Sequence, residues 1–206
     1  MMMRMSPKYL VSNPQKFILP NADLTLYSQF FSAEESVFLF EKLLKEVQWE
    51  QGQIKLFGKT VNEPRKSVFY GDDGIKYTYS GKKQQAKIWT ENLFKIKEDI
   101  ETVFGLDFNC VLANLYQDGQ DSMGWHSDNE KELGQTPSII SISFGATRVF
   151  QIKSIKPPSI FQNIKLTSGS LFLMQGTTQH YYKHQIAKTK KCLNPRINLT
   201  FRKIFI

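Results

Sequence analysis

The second half of the chain is a series of short apolar segments separated by turn residues, and this pattern constrains the fold more than any other feature. Turn signals such as Gly145, Pro157–Pro158 and Asn194–Pro195 stand between the segments. Several short strands at this spacing are typical of an all-β sandwich or barrel. The predicted strands are residues 108–116, 139–144, 148–153, 161–166, 170–174, 180–186 and 196–204.

Two amphipathic helices are predicted ahead of these strands. Ser32 and Glu35 form a capping-box pattern, and apolar residues then recur at helical spacing over residues 33–47. A second helical pattern covers residues 88–104 and ends at Gly105. Because the helices precede the strands, we expect a mainly β fold with flanking helices, built on a double-stranded β-helix, or jelly roll.

The length of 206 residues suits one domain with a sizeable core. Residues 1–20 contain Pro7, Pro14 and Pro20 and are predicted to form an irregular N-terminal arm. Residues 21–206 are predicted to form a single domain, which begins with a short strand within residues 24–31.

The chain is basic, with 27 Lys and Arg against 19 Asp and Glu and a net charge of +8. Such an excess favours a polyanionic partner, nucleic acid first and an acidic membrane surface second, although a basic protein without such a partner is the alternative. Two cysteines make neither a disulfide framework nor a zinc-finger spacing. No apolar run reaches the ~18–20 residues of a membrane helix. We therefore expect a soluble, monomeric, intracellular protein, cytoplasmic or nuclear.

His126 and Asp128 form the most informative polar pair. Residues two apart on an extended strand point to the same side, so these side chains can hold adjacent positions on one divalent metal. A third ligand must come from His180 or His184, and their spacing alone does not choose between them. Two histidines and one carboxylate form the arrangement that binds non-haem Fe(II) and leaves positions open.

The last predicted strand alternates polar and apolar residues. An exposed polar face over a buried apolar one is the ordinary explanation. The polar face carries two arginines and no lysine, however, and an arginine fork binds carboxylates through two parallel hydrogen bonds. A small dicarboxylic acid between the metal and this strand is therefore the competing hypothesis. The face consists of Arg196, Asn198, Thr200 and Arg202.

These segments together resemble the AlkB family of Fe(II)/2-oxoglutarate dioxygenases, in one register from about Leu56 to Ile204. The resemblance implies a jelly-roll core and oxidative dealkylation of damaged bases with Fe(II), 2-oxoglutarate and O2. The motifs that carry it are Asn114-Leu-Tyr116, His126-Ser-Asp128, His184 and Arg196-Ile-Asn198-Leu-Thr200-Phe-Arg202.

The same resemblance assigns roles to individual residues. The distal metal ligand of the family lies twelve residues before the first strand arginine, a position that His184 occupies here. His180 would then lie beside the ligands or on the substrate side, unless it is a surface or core histidine. The resemblance also implies that 2-oxoglutarate is held by Asn114, Tyr116, Arg196, Asn198 and Arg202. From the residues alone, a turn Asn114 and a core Tyr116 remain the alternative.

Substrate recognition is expected from two further segments. Tyr77 and Tyr79 resemble the nucleotide-recognition segment of the family, and an aromatic face would favour a cationic alkylated base by roughly 0.5–2 kcal/mol. Two tyrosines packed in a sheet are the alternative. Asn129 and Glu130 follow the metal Asp and could read the exocyclic edge of the base. Duplex-acting members usually carry an acidic residue where Asn129 stands, which leaves the base preference open.

Two surface features fit a duplex. Phe57, in Phe57-Gly58-Lys59, resembles the wedge that fills the gap left by an extruded base. Lys188, Lys190 and Lys191 could hold phosphates, although a solvated lysine loop is the common case.

The expected function is oxidative demethylation of 1-methyladenine and 3-methylcytosine in DNA, a direct-reversal repair that releases formaldehyde. The same chemistry on RNA or another substrate is one alternative. A non-enzymatic nucleic-acid-binding module on the same fold is the other.

Overall fold

The structure, a computed structural model, describes residues 13–56, 58–79, 82–156 and 159–205. Its helices are α1 (Ala33–Glu46), α2 (Glu91–Phe104) and α3 (Thr178–Tyr181), with a 3-10 turn at Lys131–Leu133. None of the described helices combines the length and apolar character needed to cross a bilayer. The strands are β1 (Gln15–Leu19), β2 (Ala22–Tyr27), β3 (Glu50–Leu56), β4 (Lys59–Gly71), β5 (Lys76–Tyr79), β6 (Lys82–Gln85), β7 (Lys87–Ile88), β8 (Cys110–Tyr116), β9 (Met123–His126), β10 (Ile139–Gly145), β11 (Arg148–Ser154), β12 (Phe161–Leu166), β13 (Ser170–Gln175), β14 (Tyr182–Ile186) and β15 (Arg196–Arg202).

Two sheets form the body of the protein. The large sheet has the strand order β1-β2-β13-β10-β15-β8-β4-β3, with β7 added beside β4, and the small sheet has the order β12-β11-β14-β9. Strands β5 and β6 form a separate ribbon. Apolar residues of both sheets share one buried cluster, so the sheets face each other. The predicted mainly β fold with flanking helices and a jelly-roll core is confirmed.

The helices cover the outer face of the large sheet. Leu43 of α1 and Ile96 of α2 are buried in one cluster with apolar residues of β10 and β15, and burying each such side chain contributes about 1.5–3 kcal/mol. Successive side chains of β15 point to opposite faces of the large sheet. Ile197, Leu199 and Phe201 pack on the helix side, so the polar residues between them point toward the small sheet.

Local signals located the helices well. The capping box of α1 is confirmed: the Ser32 hydroxyl accepts from the Glu35 N–H at 3.1 Å, and the Glu35 carboxylate accepts from the Ser32 N–H at 3.2 Å. Gly105 ends α2 with φ 63°, as predicted. The predicted start of α2 at residue 88 was wrong, because Lys87–Ile88 pairs with β4 and Thr90 caps the helix.

Two predictions about irregular and extended segments need correction. Residues 15–19 of the predicted irregular arm form β1, which pairs with β2 through a hairpin whose turn holds Asn21 at φ 57°. Prolines therefore flank this strand instead of preventing it, and residues 1–12 lie outside the described residues. The predicted strand over residues 180–186 begins only at Tyr182, because residues 178–181 form the helical turn α3.

Candidate active site

Three metal-ligating side chains meet between the two sheets. His126 ends β9, Asp128 follows two residues later, and His184 lies on β14. One ligand atom from each lies within 4.8 Å of the other two. His126 and His184 are direct register partners, with ring centroids 4.2 Å apart, so backbone pairing brings together two residues far apart in the chain.

The charge states in this cluster suit a divalent metal. Burial alone would raise the pKa of Asp128, but Arg202 and the two histidines outweigh it and hold the pKa below its usual range. Burial, helped by His126 and Arg202 and opposed by Asp128, lowers the pKa of His184 to about 3. An ionised carboxylate and a neutral imidazole are the forms that ligate metals.

The imidazole of His126 is oriented by a backbone carbonyl two residues earlier in the chain. Nδ1 of His126 lies 2.8 Å from the Gly124 carbonyl oxygen. A carbonyl oxygen can only accept, so Nδ1 carries the proton and Nε2 presents its lone pair to the cluster. Nε2 lies 3.7 Å from Oδ1 of Asp128.

The loop that carries Asp128 is fixed by residues that sequence reasoning missed. The Ser127 hydroxyl donates to the Tyr182 carbonyl at 2.7 Å. The side-chain oxygen of Gln179, which is buried in α3, accepts from the Asp128 N–H at 3.0 Å. A glutamine in a short helical turn carries no sequence signal of burial. His180, its neighbour, is exposed and contacts the Gln135 carbonyl, so the structure places His184 and not His180 in the cluster.

The polar residues of β15 are buried, and the explanation by an exposed polar face is therefore wrong. Their exposed fractions run from 1% for Arg196 to 8% for Asn198. Arg202 donates to Asp128 at 2.8 Å, and Arg196 donates to Ser143 at 2.8 Å. Asn198 donates to Ser141 at 2.8 Å.

Strand β8, which pairs with β15, contributes further buried polar residues beside this face. Asn114 is opposite Asn198 in the strand register, and Tyr116 is opposite Arg196. The buried Arg65 of β4, which sequence reasoning also missed, donates to the side-chain oxygen of Asn114 at 2.9 Å. One cavity is lined by every predicted metal and co-substrate residue, namely Asn114, Tyr116, His126, Asp128, His184, Arg196, Asn198 and Arg202.

Buried polar atoms in this cavity identify what it can hold. Within the described residues, Oδ1 of Asp128 and both Nε and Nη1 of Arg196 are buried without a hydrogen-bond partner. An unsatisfied buried polar group costs about 1–3 kcal/mol, and more when it is charged. A cation at Asp128 and a carboxylate at Arg196 would satisfy these atoms. The residues present therefore fit a ferrous ion and an anionic co-substrate.

Burial also affects the charge of Arg196 itself. It lowers the pKa of this guanidinium to about 10, with a contribution from Arg148 and an opposing one from Tyr116. The group stays cationic at neutral pH, but its charge is poorly compensated inside the protein. A dianion bound in the cavity would supply that compensation.

Among the predicted substrate residues, Asn129 and Glu130 do not line this cavity, and the others fall wholly or partly outside the described residues. Asn129 is exposed and Glu130 is half-buried, just after the metal Asp. The backbone at Tyr77 and Tyr79 forms β5, paired with β6, while their side chains and the whole of Phe57 lie outside the described residues. The lysines at positions 188, 190 and 191 are exposed on the loop between β14 and β15.

Comparison with known proteins agrees with this geometry. Bovine (Bos taurus) DNA oxidative demethylase ALKBH2 is 40% identical over 188 residues, which cover 86% of this chain and 68% of that protein. Human (Homo sapiens) ALKBH2 is 39% identical over 190 residues, covering 87% and 73%. Bovine alpha-ketoglutarate-dependent dioxygenase alkB homolog 3 is 37% identical over 185 residues, covering 85% and 64%.

The fold and the family agree as well. The solved structure of OsALKBH1 superposes with a TM-score of 0.66 at 17% identity, covering 93% of this chain and all of that one, and so shares the fold. Residues 23–202 match the 2OG-Fe(II) oxygenase superfamily. That chemistry uses Fe(II), 2-oxoglutarate and O2, and the cluster of two histidines and one aspartate has the ligands for the iron. The chain is therefore a member of the 2OG-Fe(II) oxygenase superfamily and, within it, of the AlkB family of dioxygenases.

Proposed function

We propose that this protein oxidatively demethylates N-alkylated bases in DNA, with 1-methyladenine and 3-methylcytosine as substrates and formaldehyde as the released product. The observation that carries the proposal is the buried cavity in which His126, Asp128 and His184 meet two buried arginines. Relatives named DNA oxidative demethylase cover most of the chain, and the charge of +8 fits a polyanionic substrate. We further propose that it acts as a monomer in the cytoplasm or nucleus.

Each part of the cavity has a distinct task in this proposal. His126, Asp128 and His184 would hold Fe(II), which with 2-oxoglutarate and O2 would supply the oxidation of the N-methyl carbon. Arg202 is bonded to a metal ligand, so it lies at the metal end and would bind the carboxylate of the keto-acid group. Arg196 bonds Ser143 and has two buried donor atoms without a partner, so it would bind the carboxylate remote from the metal.

Base recognition is proposed for the residues that the family resemblance assigns to the substrate. Tyr77 and Tyr79 would stack on and position the flipped base, whose positive charge when alkylated favours an aromatic face. Asn129 and Glu130 would read its exocyclic edge, and Phe57 would fill the space left in the duplex. Because Asn129 is neutral where duplex-acting members are usually acidic, strand form and base preference are the properties to measure first.

The test is mass spectrometry of oligonucleotides that carry one 1-methyladenine or 3-methylcytosine, offered as single-stranded DNA, duplex DNA and RNA. With Fe(II) and 2-oxoglutarate, we expect loss of the methyl group with equimolar succinate and formaldehyde. Asp128→Ala should abolish all three signals, and His180→Ala should retain them.

The alternatives make different predictions in the same experiment. Faster repair of RNA than of either DNA form would assign the protein to RNA. Tight binding of every oligonucleotide with no succinate from any of them would indicate a non-enzymatic binding module.

A further inference from the structure

The ring of Tyr116 lies within cation–π range of two arginines. The guanidinium carbon of Arg196 is 5.2 Å from the ring centroid, and that of Arg148 is 5.6 Å away. Tyr116 and Arg196 belong to the large sheet, whereas Arg148 begins β11 of the small sheet. Such contacts are stronger when the groups are desolvated. Arg148 thus connects the small sheet to the arginine that carries unsatisfied donors.

The same guanidinium ties together the loops that adjoin Tyr116 and Arg196 in the chain. The first loop, residues 117–122, follows Tyr116, and the second, residues 187–195, leads directly into Arg196. Arg148 donates to three backbone carbonyls, at 2.9, 2.9 and 2.8 Å, and is only 3% exposed. The acceptors are the carbonyls of Asp118, Asp121 and Ala187.

The two loops also touch each other through their backbones. The Gly119 N–H donates to the Cys192 carbonyl at 2.8 Å, and the Thr189 N–H donates to the Gly119 carbonyl at 2.8 Å. A Cβ atom at position 119 would lie 2.0 Å from the Thr189 carbonyl oxygen, so only glycine allows this approach. The segment entering Arg196 therefore has its position set by the loop that follows Tyr116 and by Arg148.

The chemistry of the contact requires an arginine. Three carbonyl acceptors on two segments need donors that diverge from a planar fork, and a lysine ammonium offers its donors from a single nitrogen. A residue needed only to fill space here would be apolar, since burying a charge without a carboxylate partner is unfavourable. Because burying the Arg148 guanidinium is unfavourable, its three hydrogen bonds to the loops indicate a role beyond packing.

We propose that Arg148 is a positioning residue for 2-oxoglutarate: by fixing Tyr116 and both loops, it holds Arg196 where that guanidinium can receive the carboxylate remote from the metal. This proposal rests on the role given to Arg196 under the proposed function. It concerns co-substrate affinity and not metal binding, because the contacts described for Arg148 reach Tyr116 and the loop before Arg196 and not the three metal ligands.

The test is calorimetric titration of 2-oxoglutarate into the full-length protein loaded with Mn(II), which needs no nucleic acid. For Arg148→Lys and Arg148→Gln we expect the Kd for 2-oxoglutarate to rise about 10-fold or more, the loss of roughly one charged hydrogen-bonding contact. The affinity for Mn(II), measured by electron paramagnetic resonance, should stay within about 2-fold of wild type. Addition of guanidinium at low millimolar concentration to Arg148→Ala should restore part of the affinity.

A matched control separates positioning from general weakening of the fold. Leu43→Ala opens a cavity in the core on the helix side of the large sheet and should lower the melting temperature without changing the Kd for 2-oxoglutarate. Gly119→Ala keeps Arg148 but separates the two loops, so it should raise this Kd in the same direction. If an Arg148 variant does not fold, Gly119→Ala still decides the question.

Two results would overturn the proposal. One is an unchanged Kd for 2-oxoglutarate in folded Arg148→Lys and Gly119→Ala. The other is an equal rise in Leu43→Ala, which would make the effect one of stability. Failure of the proposed function is recognised separately, because wild-type protein would then bind 2-oxoglutarate yet demethylate no oligonucleotide.

Discussion

Arg202 donates a 2.8 Å hydrogen bond to Oδ2 of Asp128, and both side chains are buried at 4% and 1% exposure. This bond joins the two halves of the site. Asp128 has its other oxygen, Oδ1, on the side of His126, so one carboxylate connects the metal cluster to the polar face of β15. Iron binding and co-substrate binding are therefore expected to depend on each other.

The first prediction separates the two arginines. Arg202→Met should weaken both metal and 2-oxoglutarate binding and cost about 3–5 kcal/mol of stability, because it leaves the Asp128 carboxylate buried without its ion-pair partner. Arg196→Met should weaken 2-oxoglutarate binding alone. Co(II) absorption titrations and calorimetry measure the two affinities. Equal losses of metal affinity in both variants would contradict the assignment of their positions.

The second prediction compares His126 with His180. His126→Ala should reduce 2-oxoglutarate turnover to the level of chelator-treated protein, because a ligand within the cluster is lost. His180→Ala should keep turnover near that of wild type, since this ring contacts the Gln135 carbonyl and lies outside the cluster. Succinate formation reports both. Loss of turnover in His180→Ala with retained turnover in His126→Ala would refute the ligand assignment.

The third prediction concerns Gln179, which holds the backbone of Asp128. Gln179→Leu removes the acceptor for the Asp128 N–H and should lower metal affinity by about 10–100-fold, as is usual for residues that orient ligands. Gln162→Leu, on β12, serves as the control and should leave the affinity unchanged. Co(II) titration measures both, and indistinguishable affinities would show that the ligand loop is fixed by other contacts.

The fourth prediction is a pH dependence of folding in the chelated protein. The pKa of His184 is about 3 in the fold and ~6.5 when unfolded, so the unfolded chain binds more protons between these values. The contribution of His184 to the free energy of unfolding is fully present above about pH 6.5 and is lost as the pH falls toward 3. The free energy of unfolding changes by at most about 1.4 kcal/mol per pH unit for this one group. Asp128 adds a loss only below about pH 4, because its pKa is lowered from that range.

Urea unfolding between pH 7.5 and 4.5, in the presence of a chelator, measures this slope. His184→Leu removes the titrating group and should flatten the dependence over that window. An equally steep dependence in the variant would assign the titration to another residue.

Spacing along single strands explains what could be predicted from the sequence. Period-two alternation grouped Arg196, Asn198 and Arg202 on one face. The two-residue spacing also brought His126 and Asp128 together, although Asp128 lies just past the end of β9. The same rule failed for His180, since residues 178–181 form a helical turn in which the strand period does not apply. Ser141 and Ser143 alternate with isoleucines in β10, and that pattern could have identified them as partners of the arginine face.

Other residues had no local signal at all. Arg148 and Gln179 bond backbone atoms of segments that are distant in the chain, so these contacts exist only in the folded protein. The charged residue types are common on surfaces, so a buried arginine cannot be distinguished from a solvated one by its neighbours in sequence. The resemblance to a family supplied His184, which residue spacing had left undecided.

The pairing of His126 with His184 across β9 and β14 has one more consequence. In a sheet, sliding one strand by a single residue sends every side chain to the opposite face. One inserted or deleted residue in either strand would therefore turn an imidazole away from the metal-ligating cluster and bring a chain neighbour in its place, Lys183 or Gln185 for His184 and Trp125 or Ser127 for His126. We therefore expect the two ligand strands to keep a fixed length, and changes of chain length to fall in loops outside the contacts of Arg148 and Gly119.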